Sequence, residues 1–560
     1  MINPKLNRRT FMLGALVVAS TGSLASCTDE SPTAGTSSTG PVPRPTLRIP
    51  GGDFGFPSPF GYTAGPGYIR MSLIYDSLLW KDGSGELQPW LASSHTRSDD
   101  GLAYTFTLRE AQWHDGEPLT AGDVEFTFAY FAQLVGKLPP LVLAQPFGVT
   151  SAKATDARNV EVTLAAPMEI FLQQVAGSLP ILPQHVWSEI SDPATAQDLE
   201  ILVGTGPYRL ESYSSGEGSY LYTANDAYFL GKPFVKRLEL LPVGDELQAL
   251  RASSTDAAET PPTGVTPDAL APLRSDDVGL ASLPGGFAFP LYWNLARGGA
   301  LADVTFRRAC ALAIDREDIV TRLVGGQGLA GNPGFLPPDH PDFVDVEQYV
   351  FDVDAANAML DDAGYARSSE TAMRQLPDGT PLRFELLTGG ELPVIELVVQ
   401  SLKAIGVEAI PKSVELATFY GLKFSGEWDM VITLYPGPGG QGPESDPDQL
   451  RLVYSSQGPP SPAQVSGYEN PEVDQLCQAQ LVTADAAERS QIIGKIQQLV
   501  AQDLPVLPLY YSTLYFGFDK TVLDQWYYTP GGVATGLPSP YNKQLFITGR
   551  KTGLEIRPSR

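Results

Sequence analysis

The four histidines of this chain, His95, His114, His185 and His340, stand in separate local contexts, with no His-x-x-x-His or Cys-x-x-Cys pairing to close around a metal. A zinc or iron centre is therefore not expected, and no cofactor is assigned. Neither a Gly-x-Ser-x-Gly nucleophile elbow nor a Gly-x-x-x-x-Gly-Lys-Ser/Thr phosphate loop occurs, so the hydrolase and nucleotide-triphosphatase readings lack their minimal residues. Gly437-Pro438-Gly439-Gly440-Gln441-Gly442 fits the dinucleotide pattern behind the strand-like Met430 to Leu434. That fingerprint needs a helix to start at the loop and hold pyrophosphate on its N-terminus, whereas Pro443-Glu444-Ser445-Asp446-Pro447-Asp448 is an acidic turn sequence. The stretch reads instead as a flexible loop in a cleft. Among 64 acids, pairs that could serve a glycosidase arise by coincidence and carry no signal.

The elements that would position any site are mixed α and β. Tyr104 to Leu108, Val160 to Leu164, Lys236 to Leu241, Leu382 to Leu387 and Met430 to Leu434 are short, β-branched or aromatic, and bounded by turn residues, which predicts strands. Thr120 with Asp123 approximates a capping box ahead of Val124, Phe128 and Phe131. Asp303 precedes a helix with Phe306, Ala309, Cys310, Ala313 and Ile314 on one face; Asn470-Pro471 precedes another carrying Val473, Leu476, Cys477 and Leu481. Asp485 with Glu488 starts a third. Cys310 and Cys477 are therefore expected in the core, too few for a disulfide framework and too far apart in sequence for a compact metal site.

The N-terminus carries an address. Arg8-Arg9 forms a positive region, the apolar run from Leu13 to Ala19 is too short to cross a ~30 Å hydrocarbon core, and Leu24-Ala25-Ser26 precedes Cys27. Arg-Arg-Thr-Phe resembles a twin-arginine export signal and Leu-Ala-Ser-Cys a bacterial lipobox, whose cysteine is acylated. Residues 1–26 are thus expected to be cleaved, and residues 27–46, beginning with the lipidated Cys27, to form a Ser/Thr/Pro/Gly-rich tether. Cleavage deletes Lys5, Arg8 and Arg9 and no acid, taking the formal charge from −26 to −29. Such a charge repels nucleic acid and anionic lipid, leaving the lipid anchor as the only membrane contact. The expected location is extracytoplasmic, on the outer face of the cell membrane. At ~100 to 200 residues per domain the body should hold two to four domains.

An ordered series of segments then narrows the reading. Ile74-Tyr75-Asp76-Ser77-Leu78-Leu79-Trp80, Leu87-Gln88-Pro89-Trp90-Leu91-Ala92, Tyr104-Thr105-Phe106-Thr107-Leu108-Arg109 and the run from Trp113 to Val124 resemble the signature of the family 5 extracellular solute-binding proteins, the peptide receptors of ABC importers. Gly204-Thr205-Gly206-Pro207-Tyr208, Asn225-Asp226-Ala227-Tyr228-Phe229, Trp293-Asn294-Leu295 and Asp503-Leu504-Pro505-Val506-Leu507-Pro508-Leu509 extend the likeness through the body. Several of these have plain structural readings: His114-Asp115-Gly116 as a turn, Gly204 to Tyr208 as a close strand entry, Asp315 as a helix cap.

The resemblance implies an α/β, periplasmic-binding-protein-like class II fold with two lobes, a hinge and a ligand cleft, in its three-domain variant. Domain I would comprise residues 47–75, 204–289 and 511–560, domain II residues 76–203, and domain III residues 290–510. It further implies a monomeric receptor that captures an oligopeptide or similar small solute and hands it to an ABC permease. The alternatives are an oligosaccharide receptor of the same family, a secreted lipoprotein hydrolase, and a sensory receptor. The family's α-ammonium-binding aspartate, three residues before the Asp-Pro pair, is replaced by Pro443, so Glu444, Asp446 or Asp448 would have to substitute. Trp293 and Asn294 match the cleft-lining aromatic-Asn pair, with Phe287 and Phe289 just before; Trp80, Trp113 and Tyr435 are further aromatic candidates.

Overall fold

The computed structural model describes residues 46–134, 144–369, 372–436, 446–458, 463–534 and 536–555. The leader, Cys27 and nearly all of the tether lie outside the described residues, as do Glu444 and the Gly437 to Gly442 pattern.

In the first lobe, strand Thr46–Gly51 pairs in parallel with Arg237–Pro242, and Ser219–Ala224 and Tyr208–Ser214 continue the four-stranded sheet antiparallel. A second four-stranded sheet is wholly antiparallel, in the order Ala92–Arg97, Ala103–Leu108, Asn159–Leu164, Val149–Ala154. Its central strands alternate: Tyr104, Phe106 and Leu108 point inward, as do Val160, Val162 and Leu164. The helix Ala121–Gln133 packs behind them and begins at the capping box read from sequence, with Thr120 N–H donating to Asp123 Oδ2 at 2.9 Å. One continuous core runs beneath both sheets and takes in the C-terminal segment through Leu545, Phe546 and Ile547.

Glycine is required where residues 204–208 enter this core. A Cβ on Gly204 would lie 1.9 Å from the Ile74 carbonyl oxygen, so only a bare backbone passes there. His114 locks the crossing: its backbone N–H donates to Gly204 O at 2.8 Å, its Nε2–H donates to Gly206 O at 3.0 Å, and its Nδ1 accepts from Gly204 N–H at 3.4 Å.

The second lobe is built on an eight-stranded mixed sheet buried on both faces. Phe289, Leu291, Trp293, Leu386, Met430, Ile432, Leu507 and Leu509 face one cluster; the intervening Tyr292, Leu387, Val431 and Val506 face another. Helices Val304–Ala313, Arg316–Val324 and Val394–Ala404 cover the first side, and Pro471–Val482 and Ala486–Asp503 the second. Asp303, Asp315, Asn470 and Asp485 each accept a backbone N–H at their helix starts. Cys310 and Cys477 are buried on opposite sides of the sheet, and burial pushes the Cys477 thiol up to about 12.

Two long strands, Val278–Trp293 and Val506–Asp519, pair antiparallel and run from one lobe into the other. Their register shifts between Leu283 and Phe287, at Pro284-Gly285-Gly286, with Gly285 at φ +65°. The core changes at that bulge: Leu283 and Leu514 belong to the first lobe, while Phe289 and Tyr510, stacked with ring centroids 4.4 Å apart, belong to the second. The strand expected over Met430 to Leu434 stops at Ile432, and Tyr435-Pro436 pairs again with Phe287 and Ala288.

Candidate functional site

The lobes are joined by the two-strand ribbon, which passes from one core to the other. Away from the ribbon, Glu169 N–H donates to Leu481 O at 3.0 Å, and the Arg451 guanidinium stands 6.0 Å from the Phe147 ring centroid. The first-lobe segment around residues 147–169 thus touches the second lobe's helices Gln449–Tyr454 and Pro471–Val482. A space between two bodies joined by a bulged ribbon can change width without disturbing either core.

Of the residues predicted to line a cleft, Phe287 and Tyr435 lie on neighbouring strands beside the bulge, Phe287 opposite Pro436 and Tyr435 opposite Ala288, so their side chains take opposite faces of the sheet. Both are half-buried, they sit on paired strands, and Phe287 packs against the cores of both lobes. Trp293 is placed differently: farther along the strand, it lies beneath the helices, where it is wholly buried. Asn294 is buried too, its Nδ2 donating to Gly426 O at 3.1 Å and Trp428 O at 2.8 Å, so it pins the turn before strand 430–432 instead of facing solute. Trp80 lies in the first core with its indole N–H donating to Asn542 Oδ1 at 2.9 Å, and Trp113 is buried there as well. These four are corrected to core or scaffold positions.

The acids after the loop are corrected likewise. Asp448 is fully buried and held by the Arg451 guanidinium through contacts of 2.6 and 2.7 Å and by the Gln480 amide; Asp446 is held by Arg489 at 2.8 and 3.2 Å. Arg451 engages Asp448 side-on through Nε and Nη2, and Arg489 engages Asp446 end-on through its two Nη atoms, so both carboxylates are already paired within the protein. Glu444 lies outside the described residues.

Sequence reasoning missed a first-lobe acid beside the bulge. Glu259 ends the strand Ala257–Glu259 and pairs with Phe516, just beyond the bulge. Its Oε1 accepts from Tyr528 O–H at 2.8 Å, and its backbone N–H donates to Glu246 Oε2 at 2.7 Å. Burial pushes the Glu259 carboxyl up to about 8, the Tyr528 hydrogen bond opposing and the nearby Glu246 reinforcing. An acid directly after two alanines of a short strand and before Thr260-Pro261-Pro262 is the one local signal that could have marked it.

Among the described residues no group of three or more His, Cys, Asp or Glu could hold a metal ion, and no helix is long and apolar enough to cross a membrane.

Residues 86–459 match the family model for bacterial extracellular solute-binding proteins, family 5. The chain is 30% identical to protein XP55 of Streptomyces lividans over 445 residues, covering 77% of each. It is 24% identical to the dipeptide-binding protein of Escherichia coli over 483 residues, covering 82% of this chain and 88% of that protein. The structure of the oligopeptide-binding protein AppA from Bacillus subtilis, in complex with a nonapeptide, superposes with a TM-score of 0.72 at 23% identity, covering 86% of this chain and 95% of that one. The latter two are binding proteins, and this chain shares its α/β fold with AppA. With the family model matched over residues 86–459 and a 30% identical relative covered to 77%, the chain belongs to the family 5 bacterial extracellular solute-binding proteins.

Proposed function

We propose that the chain is the lipid-anchored receptor of an ABC importer, closing over a short peptide in the crease between its lobes. The observation that carries this is the ribbon bulged at Pro284-Gly285-Gly286, where one core gives way to the other. A solute touching both lobes binds the closed form better than the open one, and only that difference shifts the population. No covalent step is required. The receptor acts as a monomer, and Cys27 at the end of a flexible tether keeps it within reach of its permease. Export through the twin-arginine route would suit a body that folds before it crosses.

Oligosaccharide is the second reading, favoured by two observations: the half-buried ring of Phe287 beside the bulge, and the engagement of Asp446 and Asp448 by arginines. Thermal-shift screening against a tripeptide pool and a cello- and xylo-oligosaccharide panel separates the two. Stabilisation by peptides is expected; stabilisation by sugars alone would replace peptide with sugar as the cargo.

A further inference from the structure

We propose that Glu259, backed by Tyr528 and Tyr541, is a first-lobe contact for an ammonium group of the ligand. This rests on the receptor reading and adds a recognition chemistry to it.

The position comes first. Glu259 is the residue of its strand nearest the bulge, since its partner Phe516 stands two residues from Leu514, the last first-lobe pair before the register shift. It therefore sits beside the bulge where one core gives way to the other, not at the outer end of the lobe. The residue is half-buried, so solvent still reaches it. Oε1 is taken by Tyr528, while Oε2 accepts no hydrogen bond from the described residues. A carboxyl oxygen left open on a half-buried residue is an acceptor awaiting a donor.

The surroundings select the donor. Tyr541 stands edge-on to Phe516 with ring centroids 5.4 Å apart and to Trp526 at 6.2 Å, giving an aromatic wall beside the carboxyl. Arg70, the cation of this neighbourhood, is committed elsewhere: its guanidinium donates to Gly52 O at 2.6 Å and lies over the rings of Phe54 and Tyr220 at 4.3 and 4.5 Å. Glu246, through its bond to the Glu259 backbone, adds a second acid. A carboxyl, a second acid and electron-rich rings without a paired cation favour a positive group and repel an anionic one.

Burial raises the Glu259 carboxyl to about 8, with Tyr528 opposing through its hydrogen bond and Glu246 reinforcing, while Tyr541 is a further neighbouring group. An arriving ammonium favours the carboxylate. Binding then converts the neutral acid to its anion, forms an N–H···O bond to it, and releases the proton to solvent.

The test is calorimetry at pH 7 on the exported full-length body, with trialanine, trilysine and their fully N-acetylated forms, in phosphate and in Tris. The wild type should bind an amine form at least tenfold more tightly than its acetylated counterpart. Binding heats in the two buffers should differ by the release of a fraction of a proton approaching one. Glu259→Gln should lose at least tenfold in affinity for the amine form and lose the buffer dependence, with acetylated peptides unchanged. Its melting temperature at pH 5, where the wild-type carboxyl is neutral, should match the wild type, which controls for folding; if it does not, the buffer comparison on the wild type decides alone. Equal binding of amine and acetylated forms, or absence of proton release, overturns the assignment while leaving the receptor reading intact. Failure of the wild type to bind any peptide or sugar overturns both.

Discussion

Protonating His114 should unlock the first lobe. The imidazole is 6% exposed and bridges the Trp113–Gly116 turn to Gly204 and Gly206, donating from Nε2 and accepting at Nδ1. A proton on Nδ1 would set a donor against the Gly204 N–H, in a site with little solvent to relieve it. Burial lowers the pKa from 6.5 to about 4, the hydrogen bond to Gly206 O opposing part of the shift. The sign follows from linkage: between these values the unfolded chain holds the proton and the folded one does not, so stability is full above pH 6.5 and falls as pH drops towards 4. At about 1.4 kcal/mol per unit, the loss over that window is about 3 kcal/mol. Other acids titrate in the same range, so the informative quantity is the difference between wild type and His114→Gln, whose amide can still donate to Gly206 O. Urea unfolding followed by tryptophan fluorescence at half-unit steps from pH 7 to 4.5 should show that difference largest at pH 7 and shrinking by about 3 kcal/mol. A difference constant across the window would refute the neutral, locked imidazole.

The other expectations follow from the same packing. Lys543 and Asp76 form a fully buried pair at 2.7 Å, Asp76 also accepting from Trp90 Nε1 and Thr205 Oγ1, so Lys543→Met strands a buried carboxylate and should cost about 3 to 5 kcal/mol by chemical denaturation. Replacing Asp76 by Asn in the same background should recover part of that loss, and no recovery would argue against charge as the cause. Gly204→Ala puts a Cβ against the Ile74 carbonyl and should abolish the cooperative near-UV dichroism transition of the first lobe; a folded protein within 1 kcal/mol of wild type would contradict the close approach. Cys27→Ser should release soluble, ligand-competent protein from the cell surface, whereas retention in the membrane fraction would count against the lipid anchor.

What was legible in the sequence was local. Caps at Thr120, Asp303, Asp315, Asn470 and Asp485 announce themselves within a few residues, and the alternation in Tyr104 to Leu108 needs only a strand to interpret it. The site was less legible because it depends on which face a residue takes. Phe287 and Tyr435 are neighbours on paired strands, yet the register sets them on opposite faces, while Trp293, on the face of Phe287, lies farther along the strand beneath the helices. Asp446 looked available because its partner Arg489 is 43 residues away; Asp448 was in principle readable, since Arg451 lies three residues on in the following helix. The Lys543–Asp76 pair, 467 residues apart, had no sequence signal at all.

The account stands most directly on one titration. Calorimetry of the purified body against a defined tripeptide pool, followed by mass spectrometry of the recovered ligand, should give saturable one-to-one binding with the peptide returned intact. Absence of binding heat, or recovery of cleaved peptide, would contradict a receptor that captures its solute without chemistry.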